Sequence, residues 1–150
     1  MNATPAIRLG LLFLVGLLGG CEKHRLDEQV KELCAKDGGD RVYVTVELPK
    51  EVFTEYGDLK FYRATKGEYA LGPEYIFVRE ITELRSGNPD LKRFYHRIVR
   101  RSDGVILGES VAYTRGGGDM PGPWHSSSFR CPEMNGDEVS LMRAIFRPRS

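Results

Sequence analysis

The side chains best equipped for chemistry gather between Arg115 and Cys131. Asp119, His125 and the run Ser126-Ser127-Ser128 supply a carboxylate, an imidazole and hydroxyls, the parts of an acyl-transfer site. Assembled, they would make a hydrolase acting on peptidoglycan or an ester. Such sets are recognised by geometry and not by crowding along the chain, and no G-x-S-x-G nucleophile elbow is present. The plainer reading is that Trp124 anchors a long loop on the core while the serines hydrogen-bond its backbone. Metal binding has less support. His24, His96 and His125 are scattered and match no ligand spacing, so neither a metal nor a cofactor is expected.

The three cysteines, Cys21, Cys34 and Cys131, leave one over if the chain is exported. Export is what the first residues suggest. Met1 to Arg8 carries a single basic side chain, and Leu9 to Leu18 is uncharged and greasy. That run is about half of the roughly 20 residues needed to cross a bilayer, which suits a signal peptide. The stretch Leu18-Gly19-Gly20-Cys21 resembles the lipobox of bacterial lipoproteins: an aliphatic residue, two small ones, then cysteine. The resemblance implies a lipid on the Cys21 thiol, cleavage before Cys21 and acylation of the new terminus. A signal peptide ending by chance at a cysteine is the bland alternative. Glu22, in place of an aspartate after the cysteine, implies the outer membrane of a Gram-negative cell as the default, with the domain at its periplasmic face. The expected layout is a cleaved leader at 1–20, the lipidated Cys21 and a short tether at 21–25, and one globular domain at 26–150.

With Cys21 lipidated, Cys34 and Cys131 remain. They form either a disulfide, which an oxidising periplasm permits, or two buried thiols; the disulfide is the expectation.

Composition agrees with one folded domain. The chain has 150 residues, 41% hydrophobic and 29% charged, which excludes intrinsic disorder and leaves room for a modest core. Its 17 glycines and 8 prolines point to many turns, and so to antiparallel strands. The formal net charge is +1, and Arg8 in the leader accounts for it. A balanced domain argues against a dedicated nucleic-acid binder. Lys92, Arg93, Arg97, Arg100 and Arg101 form a local basic stretch faced in sequence only by Asp90 and Asp103. It is either a solvated edge or a contact for anionic lipid headgroups or lipopolysaccharide phosphate.

The elements that would position these groups can be traced from hydrophobic period. His24 to Lys36 predicts a helix with Leu26, Val30, Leu33 and Cys34 on one face. Arg41 to Leu48 alternates as a strand stopped by Pro49, and a short helix over Lys50–Tyr56 and an extended segment over Asp58–Ala64 follow. Thr65 to Pro73 is a loop. Glu74 to Arg85, Leu91 to Arg101 and Val105 to Thr114 predict three strands of a meander, separated by Ser86–Asp90 and Ser102–Gly104. On the middle strand Arg93, Arg97 and Arg101 share a face with Leu91, Tyr95 and Val99. Arg115 to Pro132 reads as a long structured loop. Glu138 to Phe146 predicts a last strand, and Arg147 to Ser150 should fray. The fold class is α+β: an N-terminal helix on a meandering antiparallel sheet of about five strands.

The segments Leu33 to Gly39 with Val42-Tyr43, and Gly122 to His125 with Ser127-Ser128-Phe129 and Cys131-Pro132, are similar to a family of small bacterial lipoproteins of unknown function. The resemblance covers most of the mature chain and brings no catalytic residues. The expected function is therefore non-enzymatic: a lipid-anchored envelope domain that binds an envelope component or partner protein. Arg115, Asp119, Trp124 and His125 are its expected contact residues.

Overall fold

The structure, a computed structural model, describes residues 22–119, 122–123 and 125–150. Residues 1–21 and Trp124 lie outside the described residues, so the expectations of a leader, of lipidation at Cys21 and of the Trp124 anchor do too.

Helix α1 spans 22–37. It begins earlier than the apolar stripe suggests, so residues 22–25 are its first turn and not an extended tether. Leu26 and Val30 on its inner face are buried. The strands follow as β1 (Gly39–Val42), β2 (Val46–Leu48), β3 (Tyr75–Arg85), β4 (Asp90–Arg100), β5 (Ile106–Gly116), β6 (Ser128–Cys131) and β7 (Phe146–Pro148), with helix α2 (Glu138–Ile145) before the last. β3, β4 and β5 form the antiparallel meander. The free edge of β5 is shared by two short antiparallel strands: β1 pairs Gly39–Val42 with residues 108–111, and β6 pairs Ser128–Cys131 with 113–116. The result is an α+β domain with a five-stranded antiparallel sheet.

Alternation along the strands splits the interior into two cores. On one face Phe77, Ile98 and the bulged Leu107 pack with Leu141, Met142 and Ile145 of α2, Phe146, and Phe53, Leu59, Ala70, Leu71 and Tyr75. On the other, Val30 of α1 packs on Leu91, Val111 and Tyr113, closed by Leu33, Cys34, Tyr95, Phe129 and Cys131. Cys34 and Cys131 are joined by a disulfide, Sγ–Sγ 2.04 Å and Cα–Cα 5.9 Å. It staples α1 to β6.

Four local expectations are corrected. The strand foreseen over Arg41–Leu48 breaks at 43–45, because the Tyr43 and Val44 N–H groups both donate to the Leu107 carbonyl, at 2.8 and 3.0 Å, and turn the chain off β5. Its second half, β2, pairs in parallel with β7, where fraying was foreseen. The predicted last strand is α2. Asp137 caps it, accepting from the Ser140 N–H at 2.8 Å, while the Ser140 hydroxyl accepts from the Asp137 N–H at 3.3 Å. Leu141, Met142 and Ile145 then fall on one helical face, against Gly108. Finally, the stretch foreseen as one long loop contains β6.

Candidate functional site

The expected contact loop is built around Arg115. This residue leaves β5 on the α1 side, opposite Leu91 and Phe129. It is 2% exposed. Its Nε and Nη2 donate to the two oxygens of Asp27 on α1, at 2.8 and 3.3 Å. Its Nη1 donates to the carbonyls of Gly117 and Ser127, at 2.7 and 3.0 Å, and to the Ser127 hydroxyl at 3.0 Å. All its donors point inward, so Arg115 is not a contact residue; it closes the loop onto the helix. Asp119 is also engaged internally. It accepts from Lys23 Nζ at 2.6 Å and from the Ser127 hydroxyl at 2.8 Å, and also from the Ser127 N–H. Those donors, Lys23 foremost, hold its carboxyl well below the usual carboxylate range.

Neighbouring bonds fasten the same end of the molecule. Glu22 pairs with Arg85 at 2.6 Å. The Gly118 N–H donates to Asn88 Oδ1 at 2.7 Å, and the Gly116 N–H to Asp90 Oδ1 at 2.9 Å. The first turn of α1, the 86–90 turn and the loop after β5 are thus one cross-linked block. Of the expected site residues, Arg115 and Asp119 share this block through Ser127. His125 is exposed and makes no hydrogen bond to Asp119 or Ser127 among the described residues. The hydroxyl–imidazole–carboxylate relay is not assembled; Asp119 meets Ser127 directly.

The basic stretch is largely neutralised. Lys92 pairs with Asp90 at 2.6 Å, Arg93 with Asp37 at 3.4 Å, Arg100 with Asp103 at 2.8 Å and Arg101 with Glu68 at 3.9 Å. Among the described residues Arg97 has no carboxylate within ion-pair distance, and its Nε is buried without an acceptor. His96 is buried in the other core, 3.2 Å from the Ser110 hydroxyl and stacked on Phe77. Burial holds its pKa below the ordinary 6.5, outweighing the pull of Glu138. No group of three His, Cys, Asp or Glu residues that could hold a metal occurs among the described residues, and none of their helices is long and apolar enough to cross a membrane.

No helix covers the part of the α1-side face that α1 does not reach, where Ile76, Val78 and Val99 are half-buried and Ile106 is exposed. Cross-strand register lines up Val78, Arg97, Glu109 and Arg41 in one row, and Ile76, Val99 and Ile106 in the next. Ile76, Val78, Val99 and Ile106 belong to neither core. Tyr43, 55% exposed, leans over this surface and donates to Glu109 at 3.0 Å; Tyr95 donates to the same carboxylate. Burial, then Glu109, pushes the Tyr95 phenol up to about 12, and the Tyr95 hydrogen bond in turn lowers Glu109. Arg93 and Arg97 flank the Tyr95 ring, 5.1 and 5.9 Å from its centre. The alternation on β4 foretells that these arginines and Tyr95 share a face. Which part of that face α1 leaves bare has no local signal.

No protein-family model matches the chain, and no curated protein or solved structure matches it.

Proposed function

We propose that the protein is a lipid-anchored, non-enzymatic binding domain of the bacterial envelope, tethered through Cys21 at the periplasmic face of the outer membrane. Its contact surface for a partner protein is the bare part of the α1-side sheet face. The observation that carries this reading is that Ile76, Val78, Val99 and Ile106 lie outside both cores beside an arginine that lacks a carboxylate. Tyrosine and arginine set among apolar groups are the residues that dominate protein contacts. Charge on the patch is nearly balanced, Arg41 and Arg97 against Glu80 and Glu109, so a polyanion is a poor match. The fitting partner is a protein surface that offers a carboxylate to Arg97 between apolar side chains.

The anchor reading rests on Leu18 to Cys21. Each buried methylene adds about 0.8 kcal/mol, and two or more chains make a stable anchor. Because Glu22 and Lys23 are already helical and pinned to Arg85 and Asp119, a lipid on Cys21 would hold the domain close to the membrane in a set orientation.

Two measurements test this. A photo-crosslinking side chain at Tyr43 should capture a protein in intact cells that one at the exposed Tyr56 does not, and Arg97→Met should lower that capture at least tenfold without lowering the melting temperature. Identical profiles from positions 43 and 56 would remove the contact surface. Separately, Cys21→Ala should abolish incorporation of labelled palmitate; retained label would remove the anchor.

A further inference from the structure

We propose that β3 is a self-pairing edge: two copies of the chain join antiparallel through residues 79–83, with Ile81 on the twofold axis, into one continuous sheet. β3 ends the strand order and among the described residues pairs only with β4. It runs for 11 residues without proline or glycine. Edges that stay single are kept short, carry charges, or are broken by proline, bulges or covering elements; the charges on 79–83 are of both signs and can pair across a twofold. Here the register irregularity falls at 83–85, at the far end, and leaves 79–83 regular. Residues 79–84 are exposed, Ile81 at 58%.

The charge pattern selects a single register. A twofold antiparallel pair must place side chains of the same face opposite each other, so the axis passes through a residue. Centred on 79, Arg79 would face its own copy; centred on 80 or 83, Glu80 or Glu83 would; centred on 82, Arg79 would face Arg85 twice. Like charges directly opposite are destabilising. Centred on 81, Ile81 meets Ile81, Glu80 meets Thr82, and Arg79 meets Glu83 twice. Glu83 has no cation within ion-pair distance among the described residues, and Arg79, although it holds Glu138 and the Tyr62 hydroxyl, has five N–H groups to share. The turn at Ala64–Tyr69 flanks Ile76–Arg79 across a cleft lined by Ala64, Gly67 and Glu68, which limits pairing to 79 onward. The same axis keeps α1 on one side of the joined sheet in both copies, so their bare faces adjoin. None of this depends on the lipid or on the partner protein.

The test uses the full chain in detergent micelles. Paired Cα atoms across an antiparallel ladder lie about 4.5–5.5 Å apart, within the reach of a disulfide. Ile81→Cys should therefore give a covalent dimer whose 81–81 link is identified by mass spectrometry, and Tyr56→Cys should not. In sedimentation velocity Glu83→Arg should weaken the wild-type dimer at least tenfold, and adding Arg79→Glu should restore it to within threefold. The Ile81→Cys result needs no charge change at Arg79, so loss of the Glu138 contact cannot obscure the test. A wild-type chain that stays monomeric at every concentration, with no more linking at 81 than at 56, overturns the proposal. So does an Ile81→Cys link made to a different protein.

Discussion

Arg115 and Asp27 form a two-pronged ion pair, 2.8 and 3.3 Å, that joins β5 to α1 with the guanidinium almost wholly out of water. The two partners are not equally buried: Asp27 keeps 21% of its side chain exposed and Arg115 only 2%. That asymmetry predicts unequal mutants. Asp27→Ala strands a buried cation and should cost about 3–5 kcal/mol. Arg115→Met leaves Asp27 to water but deprives the Gly117 and Ser127 carbonyls of a donor, a loss of about 1–3 kcal/mol. Urea unfolding of both variants decides the matter, and equal losses would contradict the account.

The Cys34–Cys131 link spans a sequence separation of 97. Closing so long a loop restricts the unfolded chain, and removing it should cost about 2–4 kcal/mol. A Cys34→Ala/Cys131→Ala chain should melt lower in a thermal scan. In the wild type neither thiol should react with an alkylating agent until a reductant is added; labelling of both without reduction would refute the link.

His96 sets an acid limit. Its folded pKa is held below 6.5 by burial, with Arg79 and Arg130 adding to the effect and Glu138 and Asp137 opposing it. The folded state therefore keeps the imidazole neutral, while the unfolded chain takes up a proton near pH 6.5. Stability is complete above that value and falls as pH drops through it. Carboxylates with lowered pKa, Asp119 and Glu109 among them, lose their contribution only at pH below about 4–4.5. The unfolding midpoint between pH 7 and 5 should consequently decline in the wild type and flatten in His96→Gln. Parallel slopes would rule out His96 as the cause.

Gly108 lies under α2. A Cβ there would stand 2.7 Å from the Arg41 carbonyl and 2.9 Å from Ile145 Cδ1. Both neighbours are held, one by the β1–β5 ladder and the other by the core. Gly108→Ala should destabilise by about 1–3 kcal/mol through overpacking, measured by thermal unfolding; a neutral result would mean α2 shifts freely on the sheet.

Arg97 separates stability from binding. It has no carboxylate partner among the described residues, and its Nε lacks an acceptor. Replacing it with methionine removes an unsatisfied donor and keeps an unbranched apolar side chain at the position beside Tyr95. Arg97→Met should be neutral or stabilising by up to about 1 kcal/mol, while losing the crosslink captured at Tyr43. A clear loss of stability would show that the guanidinium serves the fold.

Much of the scaffold was legible from local pattern. Leu26, Val30, Leu33 and Cys34 repeat at helical spacing, and the turns at 86–90 and 102–104 separate the strands of the meander. Helix α2 is not legible from period alone, because Val139, Leu141, Ala144, Ile145 and Phe146 suit either period over so short a run. The signal that decides for a helix is Asp137 and Ser140 as reciprocal caps. β6 carried no period, since it gains its order only by completing the β5 edge beside β1.

The candidate site divides along the same line. The lipobox resemblance, by setting Cys21 aside, left Cys34 with Cys131 as the expected pair, while side-chain type and spacing gathered Arg115, Asp119 and His125 into one stretch and put Arg93, Tyr95 and Arg97 on one face of a strand. They could not tell which arginine would be buried and which left unpaired. Arg115 is satisfied by Asp27, on a helix formed at the other end of the chain, and Arg97 is left wanting because α1 stops short of it. Burial and pairing depend on contacts between residues distant in sequence, and only the folded chain brings those residues within reach.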